Sequence, residues 1–107
     1  MSTCSVEELR ELRTRNADFL LVDVRTAEEL AIASLEGACH LPLDELPMRL
    51  TEIDAWKDRT VICMCHHGMR SAHAQQILQR SGFTQVRNLI GGIHAWSTRI
   101  DPGVPVY

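Results

Sequence analysis

The sequence has few aromatic residues: two Trp, two Phe and one Tyr, 5% of 107 residues. With 45% hydrophobic residues it still has enough for a core, which must then be built mainly from Leu, Ile, Val and Ala. Lysine is almost absent. Lys57 stands alone, so nearly all the positive charge is arginine. The net charge is −3 and no basic block or stripe occurs, which argues against a nucleic-acid partner. No apolar run approaches membrane-spanning length. The opening residues Met1 to Glu8 lack the basic region and apolar core of a signal peptide. A disulfide framework is not needed at this size, and the four cysteines are expected as reduced thiols in cytoplasm. Internal repeats, linkers and low-complexity tracts are also missing, so residues 1–107 are expected to form a single domain.

What is present centres on Cys65-His66-His67-Gly68-Met69-Arg70-Ser71. The preceding run, Thr60 to Met64, is apolar and β-branched and reads as a buried strand. The following run, Ala72 to Arg80, reads as a helix. Cys65 is therefore expected at the carboxyl end of a strand, on a short loop that leads into a helix N-terminus. Backbone N–H groups of such a loop and the helix's partial positive charge favour an anion there, and Arg70 adds a full charge. A cysteine so placed is expected to have a lowered pKa and to act as a thiolate nucleophile. Gly68 suits the unusual backbone angles that the loop requires. A lone cysteine ending a core strand is more often buried and inert; here Gly68, Arg70 and a helix start converge on it.

Elsewhere strands and helices alternate. Ser5 to Glu8 and Thr26 to Glu29 are capping boxes opening short helices, 6–15 and 27–32. Phe19 to Val24 is a continuous apolar run suited to a sheet covered on both faces, with Asp23 and Arg25 at its carboxyl end. Residues 38–41 form a short strand candidate closed by Pro42. Residues 43–50 are a helix candidate broken early by Pro47. Trp56 is expected to anchor its segment to the core. Gly82 is a natural helix terminator, 86–89 a further strand, and Gly91-Gly92 the start of a last turn or helix. The order predicts an α/β fold with a mostly parallel sheet and helices on both faces. In such sheets ligands gather at the carboxyl ends of the strands, where Asp23, Arg25 and the Cys65 loop all lie.

The order and spacing of these signals resemble the single-domain rhodaneses, a family of sulfurtransferases. The resemblance covers almost the whole chain. It rests on Leu21-Val22-Asp23-Val24-Arg25 with Glu28-Glu29-Leu30, on Gly37-Ala38 with Leu41-Pro42-Leu43, and on the loop from Cys65 to Ser71. Gly82-Phe83, Val86, Gly91-Gly92-Ile93, Ala95-Trp96 and Pro105-Val106 complete it. One departure is Ala33-Ser34-Leu35-Glu36, where Ser34 stands in place of the family's usual histidine. The resemblance implies a three-layer rhodanese-like fold around a five-stranded sheet. It also implies persulfide chemistry, with Cys65 taking a sulfane sulfur from thiosulfate or another persulfide donor and passing it to cyanide or a thiol. A thioredoxin-like protein or glutathione would serve as acceptor, and no cofactor is implied. Backbone N–H groups from His66 to Ser71 would hold the charged sulfur. Arg70 has two readings, attracting the donor or bracing the loop. His66 and His67 either add positive potential or contribute only their amides. Asp23 and Arg25 read as a supporting ion pair, and Gly91, Gly92 and Trp96 as packing.

Three competing readings have their own predictions. A cysteine-dependent phosphatase or arsenate reductase needs five residues between Cys and Arg, whereas four separate Cys65 from Arg70. A metal centre would draw on Cys63, Cys65, His66 and His67, joined by Cys39 and His40. Their spacing matches no structural zinc pattern, and no metal is expected. A non-catalytic interaction module of the same fold would have no need of Cys65.

Overall fold

The computed structural model describes residues 2–107. β1 (Thr3–Cys4) leads through the Ser5 cap into α1 (Val6–Thr14); β2 (Leu20–Asp23), α2 (Ala27–Ile32) and β3 (Cys39–His40) follow. Next come α3 (Leu46–Arg49), a 3-10 stretch (Leu50–Trp56), β4 (Val61–Met64), α4 (Met69–Arg80), β5 (Val86–Leu89) and α5 (Gly92–Arg99). Both predicted capping boxes form: the Ser5 and Thr26 side chains accept from the amides of Glu8 and Glu29, whose carboxylates reach back.

The five strands form one sheet in the order β1-β5-β4-β2-β3, and every pairing is parallel. β4 lies at the centre and all four of its residues are buried. Its side chains alternate between faces, as the pleat requires. Val61, Cys63 and Cys65 join the core under α3, the 3-10 stretch and α4, with Leu46, Leu78 and the flank of Trp56. Ile62 and Met64 join the opposite core under α1 and α5, with Leu9, Ile93 and Trp96. The result is three layers, with helices on both faces of the sheet.

Three details differ from the sequence reading. β1 was not expected; only two residues long, it pairs Thr3 with Asn88 and Cys4 with Leu89. The 43–50 helix shrinks to α3, because Pro47 is tolerated only in the first turn and the chain then tightens into the 3-10 stretch. The helix after the loop starts three residues early. Gly68 takes φ +112°, turns the chain sharply, and lets Met69 begin α4 directly. Met69, Arg70 and Ser71 are thus helical rather than loop residues.

Candidate active site

Parallel strands bring their carboxyl ends to one edge. In register, Asp23 of β2 lies beside Met64 of β4, so Cys65 continues from the centre of that edge. Cys65 is only 1% exposed. Its Sγ does not go unpartnered into the apolar core: it accepts a hydrogen bond from the Gly68 amide at 3.0 Å and lies 3.3 Å from the Ser71 hydroxyl. A pocket of about 210 Å³ opens above it, lined by Cys65, His66, His67, Met69 and Arg70.

The loop is held from behind by its carbonyls. The first amides of α5 grip it: Ile93 N–H donates to the Cys65 carbonyl at 2.9 Å and His94 N–H to the His66 carbonyl at 3.1 Å. Asn88 of β5 donates from Nδ2 to the Gly68 carbonyl at 3.0 Å. Its Oδ1 then faces the Ser71 hydroxyl and accepts a very short hydrogen bond from it. A trans peptide points its N–H opposite to its C=O. Tying back the carbonyls of 65, 66 and 68 therefore turns the amides of His66, His67 and Met69 away from these anchors. Gly92 makes the grip possible. A Cβ there would come within 2.4 Å of the Cys65 carbonyl oxygen and 2.5 Å of that of His66. Packing at Gly92 is therefore packing against the reactive loop itself.

Arg70 is occupied as a brace. Its guanidinium forms a bidentate pair with Glu29 of α2, at 2.6 and 2.8 Å. These hydrogen bonds hold the Glu29 carboxyl far below the ordinary carboxylate range, helped by the Tyr107 hydroxyl and the Thr26 backbone against the cost of burial. The same Tyr107 oxygen donates to Glu29 at 2.7 Å and accepts from Arg25 at 2.8 Å. Asp23 and Arg25 form a buried ion pair at 2.7 Å, with side chains 1% and 0% exposed. Arg25 also donates to the Ala33 carbonyl at 2.8 Å, so its buried fork is well satisfied. Burial works against the Arg25 charge, but the hydrogen bonds it donates to Asp23 and Tyr107 outweigh it. His40 bonds the Arg25 carbonyl at 2.7 Å and is committed to that contact.

The Tyr107 ring stacks on His66, with centroids 3.9 Å apart and planes 4° from parallel. Burial, then the neighbouring His67, pushes His66 down from its ordinary pKa. Cys63 is fully buried in the core and burial pushes its thiol up to about 12. Its side chain packs among Val22, Val61 and Leu78 in the core rather than at the mouth of the Cys65 pocket. A larger hollow of about 540 Å³ lies next to the loop rather than over the sulfur, between Leu43, Pro47, Ile77 and Arg70. Arg70 borders both spaces, but of the two only the smaller one is lined by Cys65.

The sequence reading thus placed Cys65 to Ser71, Asp23 and Arg25 at one edge, and there they lie. It missed Asn88, His94 and Tyr107. Asn88 sits in a short strand and gives no signal. His94 is hidden among the apolar positions of α5. Tyr107 reaches the site through contacts with residues 41 to 82 positions away.

Residues 5–99 match the rhodanese-like domain family. A sulfurtransferase of Allochromatium vinosum is 39% identical over 100 residues, covering 94% of this chain and 89% of its own. An adenylyltransferase and sulfurtransferase of Zea mays is 34% identical over 110 residues; the match covers 98% of this chain but only 23% of that longer protein. The solved structure of a human single-domain sulfurtransferase superposes with a TM-score of 0.81 at 28% identity, covering 92% of this chain and 97% of its own.

Proposed function

The chain belongs to the rhodanese-like domain family, and from that premise we propose that it is a sulfurtransferase that carries sulfur as a persulfide on Cys65. In the first half-reaction the Cys65 thiolate attacks the sulfane sulfur of thiosulfate or another persulfide donor. A new S–S bond forms, the donor's S–S bond breaks, and sulfite or a thiolate leaves with the electron pair. In the second, an acceptor thiolate attacks the outer sulfur and Cys65 departs as thiolate. Neither step needs an oxidant or a dedicated general base, and the kinetics are ping-pong. Cyanide replaces the acceptor in an assay. A small thiol such as glutathione or a thioredoxin-like protein thiol is the proposed physiological acceptor.

One observation carries this reading: Sγ lies inside a turn in which the carbonyls of Cys65, His66 and Gly68 are tied back by α5 and Asn88, with the Gly68 amide aimed at it from 3.0 Å. Such a ring of dipoles stabilises a charged sulfur without a fixed counter-ion. Because Cys65 is almost fully covered, the transferred sulfur rather than the thiol would occupy the pocket above. A phosphatase would need Arg70 free to clamp an oxyanion, and the bidentate pair with Glu29 ties it up.

Mass spectrometry of the intact, reduced protein after mixing with thiosulfate tests the proposal. The expected result is one added sulfur per chain, removed by cyanide or glutathione and lost in Cys65→Ser. A wild-type chain that gains no sulfur from thiosulfate or from a low-molecular-weight persulfide overturns it.

A further inference from the structure

The loop's two histidines do not stand alone. His94, in the first turn of α5, completes a group in which one ring nitrogen from each of His66, His67 and His94 lies within 4.8 Å of the others. Ring centroids are 4.0 Å apart for His66 and His67, 4.9 Å for His67 and His94, and 6.1 Å for His66 and His94. Two of the six ring nitrogens, Nε2 of His66 and Nδ1 of His94, are buried with no hydrogen-bond partner. A buried nitrogen left unpaired is destabilising, because it has lost water without gaining a partner. Two such atoms in one cluster are a reason to look for what would satisfy both.

We propose that His66, His67 and His94 form a binding site for a borderline transition-metal ion, Zn²⁺ being the best match, at the mouth of the Cys65 pocket. The donor set carries the choice of ligand. Three imidazoles offer three nitrogen lone pairs, which suits Zn²⁺ and its neighbours rather than Mg²⁺ or Ca²⁺. A tetrahedral ion with nitrogens at about 2.0–2.1 Å holds them about 3.4 Å apart. The rings must therefore close by about 1 Å from their present spacing, a small rotamer adjustment. Two of the three are already placed. The His66 ring is pinned by its stack on Tyr107, and His94 is fixed to α5, whose amide holds the His66 carbonyl. His67 is exposed, which leaves its ring room to turn and complete the set. Three protein ligands leave a fourth position open, and two of the three, His66 and His67, line the same space as Cys65. An ion seated there closes the pocket to a sulfane donor, so occupancy silences the thiol reversibly. No residue outside the cluster is required, which separates this site from a centre built on Cys63 or Cys65.

Titration of the untagged, reduced full chain with Zn²⁺ against a chromophoric chelator is the test. Metal binding is read directly, so the outcome does not depend on whether sulfur transfer is found. The expected result is one Zn²⁺ per chain. Loss of even an outer-shell partner weakens metal sites by about 10–100-fold, so removing a ligand costs at least about tenfold. His94→Gln and His67→Ala should each show that loss, while Cys65→Ser keeps the wild-type affinity. His67 is exposed, so its variant folds even if His94→Gln does not. Absence of stoichiometric binding overturns the proposal, as does wild-type affinity in either histidine variant. A loss in Cys65→Ser equal to that in the histidine variants overturns it too, by moving the ion onto the thiol.

Discussion

Cys63 in β4 and Cys65 just past its end lie two positions apart and join the same core face, yet their surroundings differ sharply. Cys63 is packed in the core and burial raises its thiol to about 12. The Cys65 sulfur accepts from the Gly68 amide and lies 3.3 Å from the Ser71 oxygen, whose own proton goes to Asn88. A thiol reagent should therefore divide them. At about pH 8, iodoacetamide added to the folded protein should label Cys65 and leave Cys63 untouched until denaturant is added, as peptide mapping would show. A Cys63 adduct formed at a comparable rate in the folded state would contradict this account of the strand. At this scale the sequence was legible where chemistry is local. Gly68 and Cys65 announced themselves because a φ-permissive residue and a nucleophile fell on one turn. Glu29 was visible only as the third residue of a capping box, which it is. That the same carboxylate also receives Arg70, a contact spanning 41 positions, could not be read from spacing.

The elements owe their positions to the same division between local and distant cause. β4 and β2 were readable because uninterrupted apolar runs mark strands buried on both faces. β1 was not, since two residues show no periodicity and Thr3 is exposed. The glycine pair was expected to start a last turn or helix, and it starts α5, but the N-terminus of α5 also clamps the loop, which only the assembled sheet reveals. A pair of glycine substitutions measures that clamp. Gly37 has φ +80° and open space around a Cβ, so Gly37→Ala should cost about 1 kcal/mol of backbone strain alone. Gly92 has φ +59° and a Cβ there would collide with two loop carbonyls, so Gly92→Ala should cost at least about 2 kcal/mol and lower the rate of sulfur loading. Denaturant unfolding and the mass-spectrometric loading assay check both; equal stability losses for the two variants would remove the clamp from the account.

Across the whole molecule, Arg70 of α4, Glu29 of α2, Tyr107 of the tail and Arg25 beyond β2 form one connected polar group around the carboxyl edge of the sheet. Its stability depends on pH in a definite sense. The Glu29 carboxyl is depressed below its ordinary value of 4.5 by Arg70 and Tyr107. Its contribution is therefore complete above that value and is lost as pH falls through the lower folded one. Because the Arg70 side chain is 36% exposed, that contribution is on the order of 1 kcal/mol at neutral pH. Glu29→Gln should be less stable than wild type by about that amount at neutral pH, and the gap should narrow progressively in acid below 4.5, as urea titrations at several pH values would show. A gap that widens in acid would reverse the assignment.

The manner in which the sulfur is held also sets a timetable for the growing polypeptide. A ribosome finishes Cys65 before it makes Asn88, the α5 amides or Tyr107, and β5 must exist before β1 has anything to pair with. Cys65 is thus born without its enclosure, and acquires it only when the last fifth of these residues has emerged and long-range closure, the slow part of assembling parallel strands, is complete. Until then the cysteine is an ordinary thiol on an open thread.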